Sequence, residues 1–179
     1  MPIPTYSKGL LLWIDDNLDI EQIESNTWIN LFGNNSDRVF RLMDLSMDTA
    51  MNYSDALDKL KEFNSYRQAG IFVYCILDLS IPKEDQGEPR LQYGIALAKY
   101  LMENNISFSI LSSNTGAEKK LGEEGLSAIP YYSKEMQSIY RLPDSLALKI
   151  LSEFRRNISW VTVSGVIELL HPDSAIKNV

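Results

Sequence analysis

Histidine and cysteine are almost missing from this chain; each occurs once, as His171 and Cys75. A single cysteine forms no internal disulfide, and nothing calls for an oxidising compartment. Cys75 sits inside an apolar run, where it is expected as a small buried hydrophobe. His171 precedes Pro172 near the end of the sequence and is expected on the surface, which argues against a histidine general base. Basic residues are outnumbered too, 17 against 24 acids, giving a net charge of −7 and a pI near 4.8. That balance argues against sequence-independent binding to DNA or RNA, which needs a basic face. It suits a carboxylate-rich site that attracts a cation. Long apolar runs are absent as well, and no stretch approaches the roughly 20 residues of a membrane span. The opening MPIPTYSKGLLLWIDD has no basic n-region of a signal peptide. The expected location is the cytoplasm, with no membrane partner.

What is present reads as one α/β domain. Its 179 residues suffice for a sizeable core, and 45% apolar with 23% charged residues is ordinary for a globular protein. Phe72 to Leu77 is a continuous apolar run, as a strand buried on both faces requires. It ends in Asp78, and Pro82 then stops any central strand. Leu10–Ile14, Arg38–Leu42, Ile106–Leu111 and Ala128–Ser133 are the other predicted strands.

Helical spacing is predicted between them. It runs from Ile20 to Phe32, from Asp48 to Phe63 (with residues 43–52 open to an extended loop), from Ile95 to Glu103, over Glu118–Glu124 and onward from Pro143. In the third of these, Leu97, Ala98, Leu101 and Met102 are placed on one face. Alternating strands and helices predict a parallel sheet covered on both faces. Lys83–Gln92 is a long polar loop, and Glu84, Asp85 and Glu88 are read as its solvated acids.

The chemistry gathers just beyond the strands. Strand one is followed by Asp15 and Asp16, strand three by Asp78, strand four by Ser112 and strand five by Lys134. In a parallel sheet these share one rim, and in the order 2-1-3-4-5 strands one and three are neighbours, so the three aspartates converge. Three carboxylates together repel unless a cation joins them. Oxygen ligands with room for water and a phosphate oxygen suit Mg²⁺. Asp78 would then be a nucleophile toward phosphorus, with Lys134 and Ser112 each taking a phosphate oxygen. Plainer roles exist for each residue: helix caps for Asp15 and Asp16, a turn for Asp78, a cap or turn for Ser112, core for Tyr131.

The pieces LLWIDDN, ILDLSIP, YGIALAKYL, ILSS and YYSK, in that order, resemble a response-regulator receiver domain. The resemblance implies a flavodoxin-like, doubly wound, five-stranded parallel sheet in the order 2-1-3-4-5. It spans a receiver-like domain over residues 8–157, followed by a C-terminal extension over 158–179. It implies that Asp15, Asp16 and Asp78 hold Mg²⁺, with help from the Ser80 carbonyl. Asp78 would accept a phosphoryl group from a histidine kinase or phosphotransfer protein. Ser112 would move toward it, and Tyr131 would be the switch aromatic. A face made by the fourth helix, fifth strand and fifth helix would then meet a downstream protein target or form a homodimer. Such a protein catalyses at most its own phosphorylation and dephosphorylation.

The chain departs from the pattern in three places. Glu135 stands where a proline is usual, the loop after Pro82 is about eight residues longer than usual, and Asp16 lies far from Asp78. The departures at Glu135 and in the loop motivate an alternative, a receiver-like interaction module that no longer uses phosphate. A Mg²⁺-dependent phosphatase of the haloacid-dehalogenase type is a further alternative, but it wants an acid two residues after the nucleophile, where Ser80 stands. A nucleotide or flavin binder would want a glycine- or hydroxyl-rich loop after strand one, not Asp-Asp-Asn.

Overall fold

Alternation along each strand decides which layer its side chains join. In the computed structural model, which describes residues 8–18, 44–114, 116–134 and 142–157, β1 (Lys8–Ile14) sends Leu11 and Trp13 to one layer and Leu12 and Ile14 to the other. After β2 (Asp44–Ala50), β3 (Phe72–Leu77) repeats the division. Phe72, Tyr74 and Ile76 join the Trp13 layer; Val73, Cys75 and Leu77 join the Leu12 layer. All six are buried, so this strand has to be covered twice. With β4 (Ser107–Ser112) and β5 (Tyr131–Ser133), the strands form one parallel sheet in the order β2-β1-β3-β4-β5.

Four helices cover the described sheet. On the Leu12 side, α1 (Tyr53–Gln68) buries Ala56, Leu60 and Phe63, an i, i+4, i+7 stripe. Beside it, α2 (Leu91–Glu103) buries Leu97, Ala98 and Leu101, and α3 (Ala117–Glu123) adds Ala117 and Leu121. On the Trp13 side, α4 (Asp144–Asn157) inserts Leu146, Ala147, Ile150, Leu151 and Phe154. The Phe154 ring meets Phe72 edge-on, 5.1 Å between centroids. No helix among the described residues is long and apolar enough to cross a membrane.

Two local devices set the loops near the sheet's C-terminal rim. Asn52 caps α1, its side-chain oxygen accepting from the Asp55 N–H at 2.9 Å. The next two free N–H groups, of Tyr53 and Ser54, donate to the carbonyls of Pro82 and Lys83 at 2.9 and 3.1 Å. The loop after β3 is thus fastened to the start of α1. The second device is Gly94 in the first turn of α2. A Cβ there would lie 2.3 Å from the Leu79 carbonyl oxygen and 2.4 Å from its Cα, so only glycine lets the helix approach this backbone.

Several expectations change. The strand beside β1 is Asp44–Ala50, in residues expected to be loop or helix. It lies at the edge of the described sheet with Ser46 and Asp48 exposed, so its polar face hides it from a reading that looks for apolar runs. In consequence α1 starts at Tyr53, not Asp48. The fifth strand is shorter than expected, and Met102 faces out, 46% exposed, rather than joining Leu97 and Leu101. The predicted helix at 20–32, the strand at 38–42, Glu135, His171 and the extension at 158–179 lie outside the described residues.

Candidate functional site

Three of the site residues continue the sheet's hydrogen-bond ladder by one rung. The Asp15 N–H donates to the Ala50 carbonyl at 3.0 Å, Asp78 to Ile14 at 2.8 Å, and Lys134 to Ser112 at 3.1 Å. Each side chain therefore leaves the rim at a position fixed by strand pairing. The carboxylates of Asp15, Asp16 and Asp78 bring oxygens within 4.8 Å of one another. Asp15 and Asp78 are buried and Asp16 is partly exposed.

Asp78 has a partner on each oxygen. The Ser112 hydroxyl donates to Oδ1 at 2.7 Å, and the Ser80 N–H reaches the same atom at 3.2 Å. The Lys134 ammonium pairs with Oδ2. It also pairs with Asp15 Oδ2 at 2.6 Å. Asn17 steadies the other acids: its N–H donates to Asp15 Oδ1 at 3.0 Å and its amide to Asp16 Oδ1 at 2.8 Å. Tyr131 lies one step out. Its hydroxyl donates to the Asn114 carbonyl at 2.9 Å and more weakly to that of Ser112 at 3.3 Å.

The electrostatics follow from this crowding. Burial lifts the Asp15 carboxyl above its ordinary 3.8, against the pull of Lys134. Burial also raises Asp16, and the neighbouring charges of Asp15 and Asp78 add to it. Burial by itself would lower Lys134, yet Asp15 and Asp78 outweigh it and hold the ammonium above the usual lysine value. The pair is unequal because Lys134 gains from two carboxylates while Asp15 shares one ammonium with Asp78. Tyr131 is raised by burial, then by Glu118 and Asp78.

No protein-family model and no curated relative matches the chain. Solved structures do. The chain is similar to a response regulator receiver domain protein (CheY-like) from Methanospirillum hungatei, with 16% identity and a TM-score of 0.52 over 84% of this chain and 97% of that one. It is equally similar to a two-component response regulator from Cytophaga hutchinsonii, with 20% identity and a TM-score of 0.52 over 84% and 98% of the two chains. The fold is that of a response-regulator receiver domain.

On this receiver fold the expected residues meet: Asp15, Asp16, Asp78, Ser80, Ser112 and Lys134 share one rim, with Tyr131 adjoining. The donor set fits a hard divalent cation, since among the described residues three carboxylates face a single ammonium and remain in charge surplus. Other residues of the rim were not foreseen. Asn17, next to the acidic pair, orients it. Asn52 is buried and donates its amide to Asp85 Oδ1 at 2.7 Å. Glu84, Asp85 and Glu88 are all exposed, as expected of loop acids, but Asp85 is not merely solvated. The signal available for Asn52 was its place as an N-cap three residues before Asp55; nothing local pointed to Asp85.

Proposed function

We propose that this receiver fold is a phosphorylatable signalling module of a two-component system, with Asp78 as the acceptor. The observation that carries the reading is the Asp78 carboxylate itself. It is buried, takes Ser112 on one oxygen and Lys134 on the other, and stands beside two further carboxylates.

In this reading Asp15, Asp16 and Asp78, with the Ser80 carbonyl, hold Mg²⁺, which when bound supplies positive charge beside the transferred group. An Asp78 oxygen attacks the phosphorus of a phosphohistidine on a histidine kinase or phosphotransfer protein. The phosphorus–nitrogen bond breaks, the imidazole leaves, and an acyl phosphate remains on Asp78. Lys134 stays beside Asp78 and turns to a phosphate oxygen, and the Ser112 hydroxyl donates to another.

Movement of Ser112 is felt by Tyr131, which hydrogen-bonds the Ser112 and Asn114 carbonyls. The face of α3, β5 and α4 would thereby change for a downstream protein target or a second copy of the chain. The protein transforms no substrate beyond its own phosphorylation and dephosphorylation, and works in the cytoplasm. The phosphatase alternative is weakened by Ser80, which offers Asp78 a backbone N–H and no carboxylate.

Intact-mass measurement after incubation with acetyl phosphate and Mg²⁺ tests the reading. One phosphate adduct is expected, dependent on Mg²⁺ and lost in Asp78→Ala. No adduct, together with no beryllofluoride binding, overturns it in favour of an interaction module that does not use phosphate.

A further inference from the structure

The loop after β3 is longer than the site needs, yet it is held firmly. Its carbonyls at Pro82 and Lys83 take the first N–H groups of α1, and Ser54 Oγ adds a second bond to the Lys83 carbonyl at 3.1 Å. Ile81 and Arg90 close its base by an antiparallel bridge, the Arg90 N–H donating to the Ile81 carbonyl at 2.9 Å. At its tip, Gln86 adopts a φ of 61° that a non-glycine residue rarely takes. Among the described residues, the side chain that ties the tip to the body is Asp85, through the buried amide of Asn52.

These bonds close a ring around the acidic site. Asp15 is anchored on the Ala50 carbonyl, and Asn52 lies two residues further on. Asn52 holds Asp85, the loop leads back through Ile81 and Ser80, and Asp78 returns to β1 through the Ile14 carbonyl. The ring contains both buried acids and the segment that presents Ser80.

We propose that Asp85 and Asn52 are positioning residues for the divalent cation: their hydrogen bond latches the inserted loop to α1 and so fixes the Ser80 segment against Asp15 and Asp78. This rests on the metal-binding reading above and adds to it a pair of residues outside the acidic cluster. Supporting hydrogen bonds around a metal site typically govern about ten- to a hundredfold in affinity, and this one reaches the site through backbone at only one of its ligands. The lower end is therefore expected.

The test exchanges donor and acceptor. Asn52→Asp keeps an oxygen to cap α1 but sets a carboxylate against Asp85; Asp85→Ala removes the acceptor. The double variant Asn52→Asp with Asp85→Asn restores the bond in reverse. Mg²⁺ and Mn²⁺ dissociation constants are measured by calorimetry well below the unfolding temperature, with hydrogen exchange at the Tyr53 and Ser54 amides followed in parallel. Each single variant is expected to bind the ion about tenfold more weakly and to exchange faster at those amides. The exchanged pair is expected to recover native affinity within a factor of about three.

Native affinity in both single variants overturns the latch and leaves the metal site standing. Weak binding in the singles without recovery in the exchanged pair also overturns it, since any lesion in the loop would then suffice. A native chain that binds neither ion overturns the metal-binding reading itself.

Discussion

Lys134 is the only ammonium paired with any of the three aspartates among the described residues, and it pairs with Asp15 and Asp78, so removing it in Lys134→Met strips two buried carboxylates of their shared partner. Asp15 and Asp78 are each 3% exposed. Breaking a buried pair by deleting one member usually costs about 3–5 kcal/mol, because the remaining charge stays desolvated. Here the Lys134 side chain is 21% exposed, so solvent screens part of the interaction, and exposed pairs contribute only about 0–1 kcal/mol. A loss of about 2–3 kcal/mol is expected in the absence of divalent cation. Methionine keeps most of the apolar stem, so the loss reports charge rather than packing.

For a chain of this size that corresponds to a melting temperature lower by roughly 5–10 °C. The assay is urea unfolding of native and variant protein in a chelator, repeated with saturating Mg²⁺. A bound cation supplies the charge that the lysine no longer does, so the deficit is expected to fall below about 1 kcal/mol. Equal stability in the chelator would mean that the acids are satisfied without Lys134. A deficit that Mg²⁺ leaves unchanged would mean that the cation does not sit among them. Either result refutes the reasoning.

Asp16→Asn is expected to stabilise the chelated protein at neutral pH and to weaken Mg²⁺ binding. The sign follows from the raised Asp16 carboxyl: the folded state binds that proton more tightly than the unfolded chain, so ionised Asp16 disfavours folding. The gap between variant and native should therefore close as pH falls through the raised value toward 3.8, and denaturant unfolding across that range checks it. Gly94→Ala is expected to lose about 2–3 kcal/mol, the upper part of the range for overpacking, because the clashing atoms at Leu79 are backbone. Native stability in that variant would show that α2 is free to move away from the loop.

The parts of this fold legible in the sequence are those whose neighbours do not matter. Phe72–Leu77 is apolar at every position because it is buried on both faces, and no partner need be known to read it. Asp15 and Asp78 could be found for the same reason, as acids just past such runs, whereas Ser112 and Lys134 belong to strands that are more polar or less buried and are found by their place in the strand order. β2 is hard to read as a strand because four of the seven residues of DLSMDTA are polar; its strand character comes from pairing with β1, a contact no local pattern records. The Asn52–Asp85 bond joins residues 33 apart in the chain, one of them in a loop that composition alone marks as solvated. The demand for glycine at position 94 comes from a backbone that approaches from Leu79, and sequence alone offered it only through family likeness.

The ladder rungs made by Asp15, Asp78 and Lys134 have a consequence for how this constellation persists. Neighbouring strands lie about 4.8 Å apart whatever side chains they carry. A site hung on the first rung beyond each strand inherits that ruler, not the packing beneath it. Core residues can then be exchanged wholesale, provided each strand stays apolar and ends in register, while acids and ammonium keep their separations. Chains that share only 16–20% of their residues with this one have the same fold, so the sheet's ruler tolerates wide exchange of the side chains beneath it.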